Sequence, residues 1–180
     1  MRTRVLTLKA IIPSLVREAA PLGVFVFLLG LAAHVRVYLP FSPVPVTFQT
    51  FVVFLSVVFL GKRAIAALAV YLTLGLAGFN VFSSGAGFAY LAGPTGGYIM
   101  GFFLAAFALI ALLSARKGLS WYLFSFLIAD ILILISGSLW LTFTLKVSFG
   151  RALTLGALPF LYGDTLKVIL AALIARLARQ

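Results

Sequence analysis

Gly163-Asp-Thr-Leu-Lys167 sets a carboxylate and an ammonium three residues apart. On a helix that spacing puts both on one face. Apolar residues surround the pair, with Pro159-Phe-Leu-Tyr162 ahead and Val168-Ile-Leu-Ala-Ala-Leu-Ile174 behind, so it falls in the first turns of a hydrophobic segment. An ionised group there is expensive unless it is paired or engaged by a ligand. Asp164 could accept from ligand N–H groups and Lys167 could donate to ligand oxygens. The plainer alternative is an ion pair whose lysine snorkels to the interface. Asp130 lies midway along another apolar segment and is open to three roles: proton carrier, pocket residue or buried partner of a polar group. Glu18 completes the acids and sits among basic residues.

Two uncharged loops could supply the rest of a small-molecule site. Tyr38-Leu-Pro-Phe-Ser-Pro-Val-Pro-Val46 is proline-rich, with Ser42, Thr47 and Gln49 nearby; Asn80-Val-Phe-Ser-Ser-Gly-Ala-Gly-Phe-Ala-Tyr-Leu-Ala-Gly93 is rich in glycine and aromatics. Aromatic walls with a few fixed polar groups are what such sites use; an ordinary interfacial loop with belt aromatics has the same composition. Gly97 and Gly101 form a G-x-x-x-G pair that lets two helices approach closely in lipid, and packing is the reading favoured for both. His34 and Arg36 fall near the outer end of the first apolar segment and read as interfacial. No G-K-[ST] run is present, so no P-loop binds ATP. With no cysteine and one histidine, a thiolate or histidine metal site and a His-based catalytic site both lack partners, and the chain is not expected to be an enzyme or to hold a cofactor or metal.

The elements that must position these residues follow from composition. Of 180 residues 64% are hydrophobic and 9% charged, and mean hydropathy is +1.23. No soluble domain of this size buries so much apolar surface, so the solvent is lipid. A span needs roughly 20 apolar residues. The pattern predicts six: about 19–37, 47–60, 64–79, 94–113, 121–141 and 159–176. A short helix is expected over 152–158, and the Tyr38–Val46 prolines predict an extended loop. Residues 1–18 read as a basic amphipathic segment broken near Pro13, ahead of a single domain over 19–180. That segment does not resemble a cleaved secretory signal, because no small-residue cleavage site follows a short apolar core.

Charge sets the expected orientation. Fourteen Lys and Arg oppose three acids. Arg2, Arg4, Lys9, Arg17, Lys62, Arg63, Arg116, Lys117, Arg176 and Arg179 fall on one side, against Arg36, Lys146, Arg151 and Lys167 on or near the other. The positive-inside rule then places both termini in the cytoplasm. The same rule accounts for the net charge of +11 without a nucleic-acid partner. Ala19 and Gly23 form a small-x-x-x-small pair on the first span, suited to close helix contact within the chain or with a partner.

Three blocks carry a resemblance to a known family. They are Leu39-Pro-Phe-Ser-Pro-Val-Pro-Val-Thr-Phe-Gln-Thr50; Gly78-Phe-Asn-Val-Phe-Ser-Ser-Gly-Ala-Gly87 with Gly93-Pro-Thr-Gly-Gly-Tyr98; and Pro159-Phe-Leu-Tyr-Gly-Asp-Thr-Leu-Lys167. Their order and spacing resemble the BioY family of biotin-binding S components of energy-coupling factor (ECF) transporters. The resemblance implies a six-helix S-component fold in a prokaryotic cell membrane. It implies biotin uptake energised by partners: a transmembrane coupling protein and two ATPase subunits. It maps biotin-contacting Asn, Asp and Lys onto Asn80, Asp164 and Lys167, and docking of the coupling protein onto Ala19 and Gly23, where Gly replaces the family's usual Ala. Phe41, Phe82, Phe88, Tyr90 and Tyr98 are the candidate aromatic walls. The biotin carboxylate is left to Arg36, loop N–H groups or water. Rival readings are an S component for another vitamin, such as thiamin or riboflavin, and a stand-alone proton-coupled transporter acting through Asp130.

Overall fold

A computed structural model describes the backbone of residues 2–179 and the side chains of residues 17–179. It is an all-α multi-pass membrane fold. In order come α1 (Arg2–His34), β1 (Arg36–Val37), β2 (Val46–Thr47), α2 (Gln49–Leu60), α3 (Ala64–Leu76), α4 (Phe88–Ala92), α5 (Gly96–Ala115), α6 (Leu119–Leu145), α7 (Phe149–Gly156) and α8 (Leu161–Ala178). Among the described residues five stretches are long and apolar enough to cross a bilayer: Arg17–His34, Gln49–Leu76, Gly96–Ala115, Leu119–Leu145 and Phe149–Ala178.

The stretch Gln49–Leu76 is not one rod. It turns at Gly61, where φ is 58°, through a 3-10 turn over Gly61–Arg63. Glycine suits that left-handed backbone because a Cβ would clash there. The chain then doubles back, so that Gln49 Nε2 donates to the Tyr71 hydroxyl at 2.6 Å. Arg63, at the turn, pairs with Glu18 of α1 and fixes one end of the fold. At the other end the proline-rich segment is extended, as expected. Its flanks pair as a two-stranded antiparallel hairpin, with Arg36 opposite Thr47 and Val37 opposite Val46.

Two expectations need correction. The helix is unbroken at Pro13: α1 runs from Arg2 to His34. One proline removes one ladder bond, and a long membrane helix tolerates that loss. The short helix after α6 begins at Phe149 rather than Ala152, because Ser148 caps it by accepting from the Arg151 N–H at 3.4 Å. Just before it, α6 ends at Lys146, which takes a left-handed φ of 54°.

The core lies where α5 meets α6. A Cβ built on Gly97 would sit 2.8 Å from the Ser136 carbonyl oxygen, and one on Gly101 would sit 2.9 Å from Ile133 Cα. The glycine pair is therefore a packing device, as expected, and brings the two backbones together where lipid supplies no hydrophobic drive. Ser136 Oγ donates to the Gly97 carbonyl at 2.8 Å across the contact. Gly137 and Gly156 make room for the Tyr98 ring, whose hydroxyl donates to the Gly156 carbonyl at 2.6 Å. Phe54 of α2 meets Phe126 of α6 with ring centroids 5.2 Å apart, tying the hairpin to the α5–α6 pair.

Candidate functional site

Lys167 and Asp164 lie in the first two turns of α8, and only 5% and 4% of each residue is exposed. Lys167 Nζ donates to Asp164 Oδ1 at 2.6 Å and to the Thr47 carbonyl at 2.7 Å. Two of the three ammonium hydrogens are thus engaged. The second bond fastens α8 to β2, so the short hairpin is positioned by the lysine it helps to neutralise. The pair lines a cavity with about 510 Å³ of empty space, counting its mouth. Its floor comes from Ile99 and Phe102 of α5 and Ile133 and Leu134 of α6, and Phe160 closes one side. Apart from Asp164 and Lys167 the lining is uncharged.

A polar rail runs from Thr47 through α2 to α3. Thr47 Oγ1 donates to Gln49 Oε1 at 3.4 Å, Gln49 donates to Tyr71, and the Tyr71 hydroxyl donates to the Val81 carbonyl at 3.1 Å. Gln49 lines the cavity while Tyr71 stands behind it. Tyr71→Phe leaves the buried Gln49 amide and the Val81 carbonyl short of a partner, and a buried group left unsatisfied costs about 1–3 kcal/mol. A lower unfolding midpoint of the variant in detergent, read by intrinsic fluorescence, is the expected result.

Tyr90, on the five-residue helix α4, covers the cavity. Its hydroxyl bonds the Ser83 hydroxyl at 2.5 Å and its ring stacks on Phe82 at 5.0 Å. Phe82 in turn meets Tyr71 edge-on at 5.5 Å and fits against Gly75. The whole loop over residues 80–87 is thereby docked on α3, with the Gly87 N–H donating to the Gly75 carbonyl at 2.7 Å.

The structure sorts the candidate residues. Asp164, Lys167, Tyr98 and Tyr90 are brought together in the cavity. Phe82 is fully buried and supports Tyr90 from behind rather than lining the cavity. Phe41 and Phe88 are exposed, at 58% and 76%, where belt aromatics belong. Asn80 is exposed and lines a separate hollow with Arg36, Tyr38 and Ser84. Ala19 and Gly23 stand on an exposed face of α1, and nothing lies within 4 Å of a Cβ built on Gly23. The lining residues that pattern reading did not single out are Thr50, Ser83, Thr95, Ile99, Phe102, Ile133, Leu134 and Phe160 among others. Of these, Thr50, Ser83, Thr95 and Phe160 stood in the quoted motifs, and the Thr47-Phe-Gln49 run at the mouth of a helix was the one local signal for the polar rail.

Asp130 is 4% exposed, and its Oδ1 has no hydrogen-bond partner among the described residues. It lies one helical turn before Ile133 and Leu134 and so sits under the cavity floor. Among the described residues no group of three His, Cys, Asp or Glu side chains could hold a metal ion.

Comparison with known proteins gives consistent answers. The model of the BioY family matches residues 1–180. A Thermotoga maritima protein named biotin transporter BioY is 38% identical over 161 residues, covering 88% of this chain and 94% of its own. A Pyrococcus horikoshii protein named probable biotin transporter BioY is 35% identical over 161 residues, with the same coverage of 88% and 94%. The crystal structure of the S-component for biotin from an ECF-type ABC transporter superposes with a TM-score of 0.79 at 24% identity, covering 95% of this chain and 93% of that one, and so shares the fold. By the full-length match and by these relatives, the chain belongs to the BioY family.

Proposed function

We propose that the chain is the biotin-binding S component of an ECF transporter and takes up biotin across a prokaryotic cell membrane with a transmembrane coupling protein and two ATPase subunits. The observation that carries this reading is the buried Asp164–Lys167 pair, the sole charge in an apolar, aromatic-walled cavity of a BioY-family chain. The ureido ring of biotin offers two N–H donors beside one carbonyl. Asp164 accepts from the former and the third hydrogen of Lys167 donates to the latter. Tyr98, Tyr90 and the apolar floor take the thiophane ring. Asn80, in the hollow beside the cavity, meets the part of the ligand that leaves it, Phe82 contributes by supporting Tyr90, and Phe41 contributes through the loop that carries it.

The fold-back of α2 on α3 supports six helical passes, since an even number of crossings leaves both termini on one side. The excess of basic residues on that side supports its being the cytoplasm. Residues 1–18 form a basic segment there, ahead of the six-helix domain. The open face at Ala19 and Gly23 admits close approach of a coupling-protein helix.

Retention of radiolabelled biotin by detergent-purified protein, challenged with unlabelled biotin, thiamin and riboflavin, tests the reading. Displacement by biotin alone is expected; no retention, or displacement by another vitamin, overturns it. The unpartnered Asp130 oxygen favours one rival, a proton-coupled carrier acting alone. Uptake into liposomes driven by a pH gradient without ATPase partners would establish that rival instead.

A further inference from the structure

The buried cavity offers a ligand acid no unpaired cation. Its one cation, Lys167, is already held by Asp164 and Thr47, and a ligand carboxylate beside it would face Asp164. Like charges at that range in a dry site repel strongly. A ligand with a carboxylate tail must therefore carry it elsewhere.

The adjoining hollow has the complementary chemistry. It is lined by Arg36, Tyr38, Asn80, Ser84, Gly85 and Ala86. Arg36 is directly opposite Thr47 in the hairpin, one strand away from the carbonyl that holds Lys167. The turn closed by the Phe82–Gly85 bridge is the common wall: Ser83 faces the cavity and bonds Tyr90, while Ser84 faces the hollow and bonds the Tyr38 hydroxyl at 2.9 Å. The Arg36 guanidinium rests over the Tyr38 ring, 5.3 Å from its centroid, which holds it at the rim. Among the described residues no acidic side chain is available to it. Glu18 pairs with Arg63, Asp164 pairs with Lys167, and Asp130 is buried within α6. The other cations at this end, Lys146 and Arg151, line neither space.

We infer that this hollow seats the carboxylate of the ligand, with Arg36 as its cation. The guanidinium fork matches a carboxylate in two parallel hydrogen bonds. Tyr38, Ser84 and Asn80 add neutral donors. The ligand then lies with its ring in the cavity and its tail crossing between the hairpin and the 82–85 turn. The assignment rests on the biotin reading and narrows it from a ring-binding pocket to a site that also reads the acid.

The test compares binding of biotin and of biotinamide, its uncharged amide, to the purified protein. Wild type is expected to prefer the acid by about tenfold, the worth of one charge-assisted contact. Arg36→Gln is expected to bring the acid down to the level of the amide, Arg36→Lys to keep most of the preference, and Arg36→Glu to reverse it. Equal binding of acid and amide by wild type overturns the inference without recourse to any variant. A preference unchanged in both Arg36→Gln and Arg36→Glu also overturns it and leaves Arg36 as an anchor for lipid phosphate. Failure of wild type to bind either compound counts against the biotin reading instead.

Discussion

Lys167→Met is expected to destabilise the protein by about 3–5 kcal/mol and to abolish biotin binding, because it strands the Asp164 carboxylate in a space that almost no water reaches. The lysine is held by two short bonds, one to Asp164 Oδ1 and one to the Thr47 carbonyl. Its loss therefore also frees the β1–β2 hairpin from α8. The double variant Asp164→Asn/Lys167→Met separates the two effects. Stability is expected to recover in large part, since replacing both members of a buried pair is far cheaper than removing one. Binding is expected to stay lost, since the ammonium donor is gone and the amide left at position 164 is an uncharged, weaker acceptor for a ureido N–H. Unfolding midpoints in detergent and radiolabelled biotin retention on the same preparations check both statements. Restored binding in the double variant would remove the pair from the site.

Gly101→Leu is expected to have a comparable effect by a purely steric route. The atoms nearest a new Cβ are Ile133 Cα at 2.9 Å, Ser136 Cβ at 3.2 Å and Ile133 O at 3.3 Å; two are backbone and the third is fixed directly to it, so none can swing aside. The α5 and α6 backbones must part. Overpacking of this kind costs typically about 1–3 kcal/mol, occasionally more. Phe102, the next residue on α5, and Ile133 on α6 both line the cavity, so the separation also deforms its floor. Loss of biotin retention together with a lower unfolding midpoint is the expected result. Gly150→Ala, where nothing lies within 4 Å of the new Cβ, is the matched control and is expected to leave both unchanged.

Much of this architecture could be read from the chain before any coordinates. Apolar runs broken at Gly61-Lys-Arg63 and Ser114–Ser120 marked the helices to within a few residues, because in lipid a helix must satisfy its own backbone and only polar breaks can end it. The Asp164/Lys167 spacing picked out the buried charged pair of the cavity for the same reason: the cost of burial leaves few explanations. What pattern could not give was anything decided by contact at a distance. The strands β1 and β2 are two residues each, and their pairing across the prolines is fixed by Lys167 binding the Thr47 carbonyl from 120 residues away. Helix α4 is hidden in a glycine-rich loop and is held by Tyr90 on Ser83 and Phe82 rather than by its own propensity. The aromatics of the loops looked equivalent in sequence. Packing against Gly75 buries Phe82, while Phe41 and Phe88 have no such cradle and stay outside.

The doubling back at Gly61 also gives the molecule two different heights in the bilayer. At 1.5 Å per residue, α3 with 13 residues is about 20 Å long, whereas α6 with 27 is about 40 Å. The hydrocarbon core is about 30 Å thick. Lipid must therefore thin on the α3 side and can stay thick, with the helix tilted, on the α6 side. A wedge of this kind carries a standing elastic cost in the membrane around it, a fraction of a kcal/mol for each Å of mismatch. That cost would fall if another protein covered the short flank, so the lipid around α3 would itself favour a partner on that side.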